Sequence, residues 1–395
     1  MLTQRQLFFN HLAQTSETPL ALEIEKAEGV YLIDTSGKRY MDLISGISVS
    51  NVGHRHPKVL AAIQNQLDKY LHLMVYGEYI QSPQVHLAKL LAENLPEKLS
   101  SVYFVNSGSE AIEGAMKLAK RFTGRTEIIS FKNGYHGSTH GSLSIMGNEE
   151  FKNAYRPLLP DIRHIEYNNV NDLKQITNHT ACVIVETIQG EAGAVVPSTN
   201  FLKQLSERCN TMGAMLIVDE IQCGFGRTGK LFAFEHYNFV PDILCIAKGM
   251  GGGMPIGAFI SSKIIMSSLT NNPILGHITT FGGHPVSCAA SMATLKVLLE
   301  EKLMEQVDEK EKLFRNLLIH PKIKSINGKG LLLSIEFESY EQNKKIIDAC
   351  IEKGVITDWF LFNTKSMRIA PPLIIAEDEI KVACKVILQS ISETV

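Results

Sequence analysis

Two stretches of the sequence decide the fold, Met215-Leu-Ile-Val-Asp-Glu-Ile-Gln222 and Pro241-Asp-Ile-Leu-Cys-Ile-Ala-Lys248. Each contains a short run of apolar residues that ends near a reactive polar group, Asp219 in the first and Lys248 in the second. Short runs that are apolar on both faces are typical of strands buried in a parallel sheet between helix layers. Because ligands bind at the carboxyl ends of such strands, we expect both side chains at one edge of a sheet.

Other short apolar runs, separated by helix-length segments, extend this pattern through the middle of the chain. The predicted strands are residues 102–105, 127–131, 181–185, 215–218, 243–246 and 257–260. Strands that alternate with helices predict a large α/β domain in which a mostly parallel sheet lies between helices.

The two ends of the chain predict a second, smaller domain of α+β type. Residues 29–42 alternate around a Thr-Ser-Gly turn, which predicts a hairpin. Residues 286–318 carry an apolar stripe at helical spacing, and a strand-turn-strand pattern surrounds Gly328-Lys-Gly330. The expected segments are 1–50, an N-terminal arm of the small domain, 51–290, the large domain, and 291–395, the C-terminal part of the small domain.

Composition and charge argue for a globular enzyme and against membrane, nucleic-acid-binding and zinc-binding classes of protein. The 395 residues exceed what one core usually accommodates, and 45% hydrophobic with 20% charged residues is ordinary for a soluble globular protein. A net charge of −2 gives no general attraction to nucleic acid or to an anionic membrane. The sequence has no bilayer-length apolar run, no signal-type N-terminal core and no Cys-x-x-Cys pair among its seven cysteines. We expect a cytoplasmic enzyme with no metal, nucleic-acid or membrane partner.

Asp219 and Lys248 together predict a cofactor. A lone aspartate at the end of a buried strand is usually a helix cap or a structural hydrogen-bond acceptor. A lysine that emerges from a buried strand is costly unless it is paired or used. Pyridoxal 5′-phosphate needs both an amine for a Schiff base and an acid partner for its pyridine nitrogen. We therefore predict that both residues are catalytic and that this molecule is the cofactor.

Two loops offer further contacts for such a cofactor. Asn106-Ser-Gly-Ser-Glu-Ala111 follows a predicted strand and opens a helix, expected over about 111–122, whose free backbone N–H groups could bind an anion. The alternative is an ordinary capped helix, since serine also caps helices well. Tyr135 follows another strand and could stack on a flat heterocycle or simply pack within its loop.

Two other motif matches are weak. Gly224-Phe-Gly-Arg-Thr-Gly229 matches the dinucleotide pattern G-x-G-x-x-G, but residues 220–223 separate it from the strand, whereas that fingerprint turns directly out of its strand. His136 and His140 lack the glutamate that accompanies such a histidine pair in a zinc-binding helix, so we expect ordinary loop histidines.

The sequence resembles the class III family of pyridoxal-phosphate-dependent aminotransferases (fold type I), of the acetylornithine/ornithine aminotransferase kind, over nearly the whole chain. The motifs that carry the resemblance include Gly53-His-Arg-His-Pro57, Asn106-Ser-Gly-Ser-Glu-Ala111, Gly134-Tyr-His-Gly137, Glu186-Thr-Ile-Gln-Gly-Glu191, Asp219-Glu-Ile-Gln-Cys-Gly-Phe-Gly-Arg-Thr-Gly-Lys230, Ala247-Lys-Gly249, Thr279-Thr-Phe-Gly-Gly283 and Arg368-Ile-Ala-Pro-Pro372. The aspartate block with the lysine block is highly specific, and the others would be weak singly.

The resemblance implies roles for individual residues. Lys248 would form the Schiff base, and Asp219 would pair with the protonated pyridine nitrogen. The other implied cofactor contacts are Ser107, Gly108 and Ser109 at the phosphate, Tyr135 on a ring face, Gln222 near the phenolic oxygen, and Glu186. Thr280 would reach the phosphate in the neighbouring subunit, which implies an obligate homodimer, and Thr279 would lie close to the substrate.

The residues implied to contact substrate depart from the family pattern. Relatives that use glutamate carry arginine where this chain has Ser138, so a bidentate carboxylate clamp is lost. Ile47 stands where ornithine aminotransferase has tyrosine, which argues against ornithine itself. Arg368 remains, and it could switch between Glu191 and a substrate carboxylate or pair with Glu191 in a purely structural way.

The implied function is transfer of an amino group from an amino acid or ω-amine to an oxo acid such as 2-oxoglutarate or pyruvate. The donor would resemble acetylornithine, ornithine, lysine or 4-aminobutyrate. The alternative is an aminomutase, a racemase or a decarboxylating relative on the same scaffold. A third alternative is a regulator that keeps this fold, but the hairpin expected from about Glu23 leaves no room for a DNA-binding helix-turn-helix ahead of it.

Overall fold

The strands form three sheets in the computed structural model, which describes residues 2–394. In chain order they are β1 (Ile24–Glu28), β2 (Tyr31–Asp34), β3 (Arg39–Asp42), β4 (Ser101–Val105), β5 (Glu127–Phe131), β6 (Ile162–Ile165), β7 (Thr180–Glu186), β8 (Met215–Asp219), β9 (Ile243–Ile246), β10 (Gly257–Ser261), β11 (Ser325–Lys329), β12 (Leu332–Glu336), β13 (Val355–Ile356), β14 (Trp359–Phe360) and β15 (Asn363–Ile369).

Helices connect and cover these strands. They are α1 (Gln4–His11), α2 (Ser45–Ser48), α3 (Pro57–Leu67), α4 (Ser82–Glu93), α5 (Gly108–Thr123), α6 (His140–Ile145), α7 (Phe201–Met212), α8 (Lys263–Met266), α9 (Pro285–Glu300), α10 (Val307–Leu317), α11 (Tyr340–Glu352) and α12 (Glu377–Thr394). None of the helices within residues 2–394 combines the length and the apolar character that crossing a membrane requires.

The central sheet has seven strands in the order β4-β10-β9-β8-β7-β5-β6. β10 runs antiparallel to both of its neighbours, and the pairs from β9 to β6 are parallel. The predicted mostly parallel α/β sheet is confirmed, and it contains all six predicted strands. β6 was not predicted, because Ile162-Arg-His-Ile165 is half polar and lies at the edge of the sheet, where burial is incomplete.

Helix α5 shows how the sheet and its helices bury each other. Its apolar side packs on β9 and β10, and an added Cβ at Gly114 would lie 2.3 Å from the Phe259 ring, so only glycine allows this close approach. The helix begins three residues earlier than predicted because the Ser107 side chain caps it, accepting a hydrogen bond from the Glu110 N–H at 3.2 Å. It ends at Thr123, and the next residue, Gly124, has the left-handed conformation common just after helix ends.

The two smaller sheets come from the ends of the chain. The predicted N-terminal hairpin is present as β2 and β3, and β13 pairs in parallel with β3, so residues 355–356 lie beside residues 41–42. The second small sheet has the order β11-β12-β15-β14 and is antiparallel. The domain limits at residues 50 and 290 stay a prediction.

Candidate active site

A cavity of about 430 Å³ lies at the carboxyl edge of the central sheet. It is found beyond the ends of β7, β8 and β9 and beside the start of α5. Its walls include Asn106, Ser107, Gly108, Ser109, Tyr135, His136, Gly137, Glu186, Asp219, Ile221, Gln222, Ala247, Lys248 and residues 253–256. Side chains far apart in sequence therefore meet at one concave surface.

Asp219, the last residue of β8, is the buried carboxylate of this cavity. Its Oδ1 accepts from the backbone N–H of Ile221 at 2.9 Å, and its Oδ2 lies 2.8 Å from Nδ1 of His136. Burial disfavours the charged imidazole, but the hydrogen bond and charge of Asp219 outweigh that effect and raise the pKa of His136. The carboxylate is consequently held in one orientation by a charge-assisted hydrogen bond.

A second carboxylate, Glu186, ends the neighbouring strand β7 and is in register with Asp219. Its Oε1 accepts from the backbone N–H of Tyr135, and its Oε2 accepts from that of Gly190, both at 2.9 Å. Burial and the negative charge of Asp219 raise the pKa of Glu186 to about 7, although the charge of His136 opposes the rise. Glu186 thereby fixes the loop that carries Tyr135 over the cavity.

Lys248 enters the cavity from the turn that follows β9. Its φ of +46° is uncommon for a residue with a side chain, and the turn is fixed by Gly249, where an added Cβ would lie 2.5 Å from Nδ2 of Asn51. Within residues 2–394 the Lys248 amine has no hydrogen-bond or ion-pair partner. Burial lowers the pKa of Lys248, which increases the neutral, nucleophilic fraction of its amine.

The start of α5 forms the opposite wall of the cavity. The backbone N–H groups of Gly108 and Ser109 have no acceptor among the described residues, as expected in the first turn of a helix. Gly137, at a φ of +122°, lies so close that an added Cβ would be 2.0 Å from Oγ of Ser109. These two N–H groups and the helix dipole suit an anion.

Arg368 and Glu191 form a buried ion pair next to the cavity. Nη1 and Nη2 of Arg368 donate to the two carboxylate oxygens of Glu191 at 2.9 and 3.0 Å. Gln222, which lines the cavity, donates from Nε2 to Oε1 of the same glutamate at 3.3 Å. Arg368 keeps the pKa of Glu191 below its usual value despite burial. Neither Arg368 nor Glu191 is among the cavity walls, and the guanidinium is linked to the cavity through Glu191 and then Gln222.

Comparison with known proteins places the chain among enzymes of one type. The family model described as aminotransferase class-III matches residues 12–391. The chain belongs to the class III aminotransferase family. This aminotransferase is 40% identical over 376 residues to the acetylornithine aminotransferase of Methanopyrus kandleri, with 94% of each chain covered.

Solved structures give the same result. The ornithine aminotransferase of Toxoplasma gondii superposes with a TM-score of 0.91 at 30% identity, covering 98% of this chain and 93% of that one. The adenosylmethionine-8-amino-7-oxononanoate aminotransferase of Methanocaldococcus jannaschii superposes with a TM-score of 0.92 at 29% identity, covering 99% and 98%. The predicted family, enzyme class and fold are confirmed.

Pyridoxal 5′-phosphate is the cofactor of this family, and the Toxoplasma structure carries it at partial occupancy. The groups around the cavity fit it chemically. The unpaired N–H groups of Gly108 and Ser109 suit its phosphate, the Asp219 carboxylate suits its ring nitrogen, and the unpaired Lys248 amine suits its aldehyde. The cofactor prediction is thus confirmed, whereas the role of each residue stays a prediction.

Most of the predicted site residues lie together. Those that line the cavity are Ser107, Gly108, Ser109, Tyr135, Glu186, Asp219, Gln222 and Lys248. Thr279 lies beside it and accepts from Nδ2 of Asn106 at 3.1 Å, and Ser138 is exposed with its Oγ 3.3 Å from the Tyr135 hydroxyl. Thr280 is exposed on the single chain.

His136 was the residue that sequence reasoning misjudged. We expected an ordinary loop histidine, but the side chain is buried and bonded to Asp219, 83 positions away in sequence. No local pattern signals such a pair, because the two residues meet only when the loop after β5 folds over the end of β8. The indirect hint in the sequence was that His136 directly follows Tyr135, a predicted cofactor contact.

Proposed function

We propose that this aminotransferase moves an amino group from an amino acid or ω-amine donor to an oxo acid such as 2-oxoglutarate. The donor class is that of acetylornithine, ornithine and 4-aminobutyrate, and the names of the Methanopyrus and Toxoplasma relatives support it. The observation that carries the proposal is the Arg368–Glu191 pair linked through Gln222 to the cavity of Lys248 and Asp219. That pair supplies an arginine able to receive a carboxylate.

The proposed cofactor contacts follow from the cavity walls. Ser107, with the backbone of Gly108 and Ser109, would hold the phosphate, and Tyr135 would cover one ring face. The remaining proposed contacts are Gln222 and Glu186, both in the same walls. Asp219 would keep the ring nitrogen protonated, because a buried carboxylate beside that nitrogen favours the charged form.

Lys248 would carry out the proton transfer. When bound, pyridoxal 5′-phosphate supplies an aldehyde for amines and a ring that accepts electron density from a breaking C–H bond. The Nζ of Lys248 would take the proton from the substrate carbon as a general base and return it as a general acid. Burial lowers the pKa of Lys248, which increases the fraction of its amine that is free to act as the base. His136 would hold Asp219 in place throughout.

Donor recognition would rely little on charge at the Ser138 position. Ser138 is exposed and uncharged, and its hydroxyl lies 3.3 Å from that of Tyr135, so it can offer hydrogen bonds but no ion pair. The carboxylate of an oxo acid would instead displace Glu191 from Arg368. Thr279, held by Asn106, would lie near the bound substrate.

Product analysis tests this function against an aminomutase or racemase. Purified holoenzyme is incubated with each donor, with and without 2-oxoglutarate, and the products are identified by mass spectrometry. We expect glutamate and an oxo product only when both substrates are present. An isomer of the donor formed without an oxo acid would contradict the proposal, and none of the relatives named above is an aminomutase or racemase.

Replacing Arg368 by glutamine should weaken oxo-acid binding at least about thirtyfold, because a bidentate partner of the carboxylate is removed. Stopped-flow half-reactions with 2-oxoglutarate measure this. The half-reaction with a donor amine that lacks a carboxylate should change much less. Unchanged 2-oxoglutarate affinity would leave Arg368 with only its structural pairing to Glu191.

A homodimer with shared active sites is the proposed assembly. Thr280 is exposed, and the apolar side chains around it are exposed too, with Ile274 at 78%, Ile278 at 50% and Phe281 at 53%. Several large exposed apolar side chains in one short segment favour a protein partner. All seven cysteines are unpaired and buried, which supports the further proposal of a reducing, cytoplasmic location.

Mixing two inactive variants tests the shared site. Chains with Thr280→Ala are unfolded and refolded together with chains that carry Lys248→Ala. A mixed dimer would contain one site with both residues intact, so activity should return on mixing. Sedimentation velocity should show twice the mass of the 43.8 kDa chain. A monomer, or no activity after mixing, would contradict the proposed assembly.

A further inference from the structure

The guanidinium of Arg368 binds two carboxylates. Besides the bidentate pair with Glu191, its Nε donates to Oδ1 of Asp358 at 2.9 Å. The Arg368 side chain is 2% exposed, and that of Asp358 is 26% exposed. The proposed binding of a substrate carboxylate requires only that Glu191 leave Arg368. Asp358, the second acidic partner, therefore has no assigned role.

The chain around Asp358 holds it firmly against the arginine. Asp358 lies between β13 and β14, and its carbonyl accepts from the Arg368 N–H at 2.8 Å. The Phe360 ring lies 4.5 Å from the guanidinium carbon, and the Trp359 carbonyl is 3.4 Å from Nη2. The guanidinium is thus fixed on its Nε side by Asp358, and only its Nη side can exchange partners.

Exchange at the Nη side would leave Asp358 in place. Glu191 can leave because it retains other donors, the Leu361 N–H at 3.1 Å and Gln222 at 3.3 Å. A substrate carboxylate that took its position would share one positive charge with Asp358, in surroundings where like charges repel strongly. Burial raises the pKa of Asp358 to about 6, against the opposing charge of Arg368, so the group is mostly ionised above pH 7.

We propose that Asp358 is a specificity-determining residue that weakens the hold of Arg368 on substrate carboxylates. The inference rests on the proposed function, in which Arg368 receives the carboxylate of the oxo acid. Asp358 favours amine substrates whose carboxylate is absent or lies far from Arg368, and it speeds release of a dicarboxylate product. Glu191 controls whether Arg368 is free to bind a substrate carboxylate. Asp358 then sets how tightly Arg368 binds that carboxylate.

Calorimetric binding of glutarate, a dicarboxylate with neither an oxo nor an amino group, tests this directly. The holoenzyme is titrated at pH 8 as wild type and as Asp358→Asn, which removes the charge but keeps an oxygen to accept from Nε. Asp358→Asn should bind glutarate on the order of tenfold more tightly. Glutaramide, the neutral diamide, should bind both proteins equally. A merely structural Asp358 would give weaker or unchanged glutarate binding, and either result overturns the proposal.

Two further variants separate this inference from the function on which it rests. Arg368→Gln should lose glutarate binding, and adding Asp358→Asn to it should restore nothing. If Arg368→Gln binds glutarate like the wild type, Arg368 receives no carboxylate and both proposals fail. If Arg368→Gln loses binding but Asp358→Asn fails to tighten it, only the role of Asp358 is refuted. Should Asp358→Asn not fold, Asp358→Ser is tested with the same expectation.

Discussion

Lys248→Ala is expected to abolish amino transfer, lowering kcat by at least about 10³-fold. The Nζ of Lys248 is proposed both to attach the cofactor covalently and to carry the transferred proton, and alanine does neither. Intact-mass spectrometry after borohydride reduction measures the attachment separately from the rate. The wild type should gain the mass of one cofactor, and Lys248→Ala should gain none.

An exposed lysine provides the matched control. Lys263 begins α8, outside the cavity walls, so Lys263→Ala should keep both the cofactor mass and the rate. A small primary amine added to Lys248→Ala should recover part of the rate, because it replaces the missing base. Full activity and a reduced adduct in Lys248→Ala would place the attachment at another lysine.

Asp219→Asn should lower kcat roughly 10²- to 10³-fold while leaving the protein folded. The amide has nearly the same shape as the carboxylate but cannot stabilise a positive ring nitrogen. The substitution also removes the charge that raises the pKa of His136, so burial should then lower that pKa below its ordinary value. NMR of labelled histidine should therefore show His136 gaining its proton at a lower pH in the variant than in the wild type.

The adjacent residue offers a control for Asp219. Glu220 is also buried, but its carboxylate accepts from the hydroxyl of Thr187 and the backbone N–H groups of Ala233 and Phe234, outside the cavity. Glu220→Gln should lower the melting temperature and keep the rate per folded molecule. Equal loss of kcat in the two variants would indicate a general effect of disturbing this strand end.

The sequence was sufficient for those parts of the site that strands position. Asp219 and Lys248 follow apolar runs, and a parallel sheet brings the ends of such runs to one edge, so their meeting could be predicted without coordinates. The Ser107-Gly108-Ser109 turn could be predicted on the same basis, since it joins a strand to a helix. These are local patterns with a fixed geometric consequence.

Other contacts depend on folding over long distances and could not be predicted. His136 meets Asp219 only because its loop closes over β8, and β6 forms although two of its four residues are polar. Asp358 and Arg368 are ten positions apart, but their pairing requires the turn between β14 and β15. In each case the contact depends on the path of the chain between elements, and the residue types alone do not specify that path.

The first measurement to make is the absorbance spectrum of the purified holoenzyme, recorded before and after a donor amine is added. We expect a visible band from the cofactor bound at Lys248, and loss of that band when a donor passes its amino group to the enzyme without an oxo acid present. Adding 2-oxoglutarate should then restore the band. A protein that stays colourless with added pyridoxal 5′-phosphate, or a band that no amine in a broad panel alters, would show that Lys248 does not bind the cofactor for amino transfer.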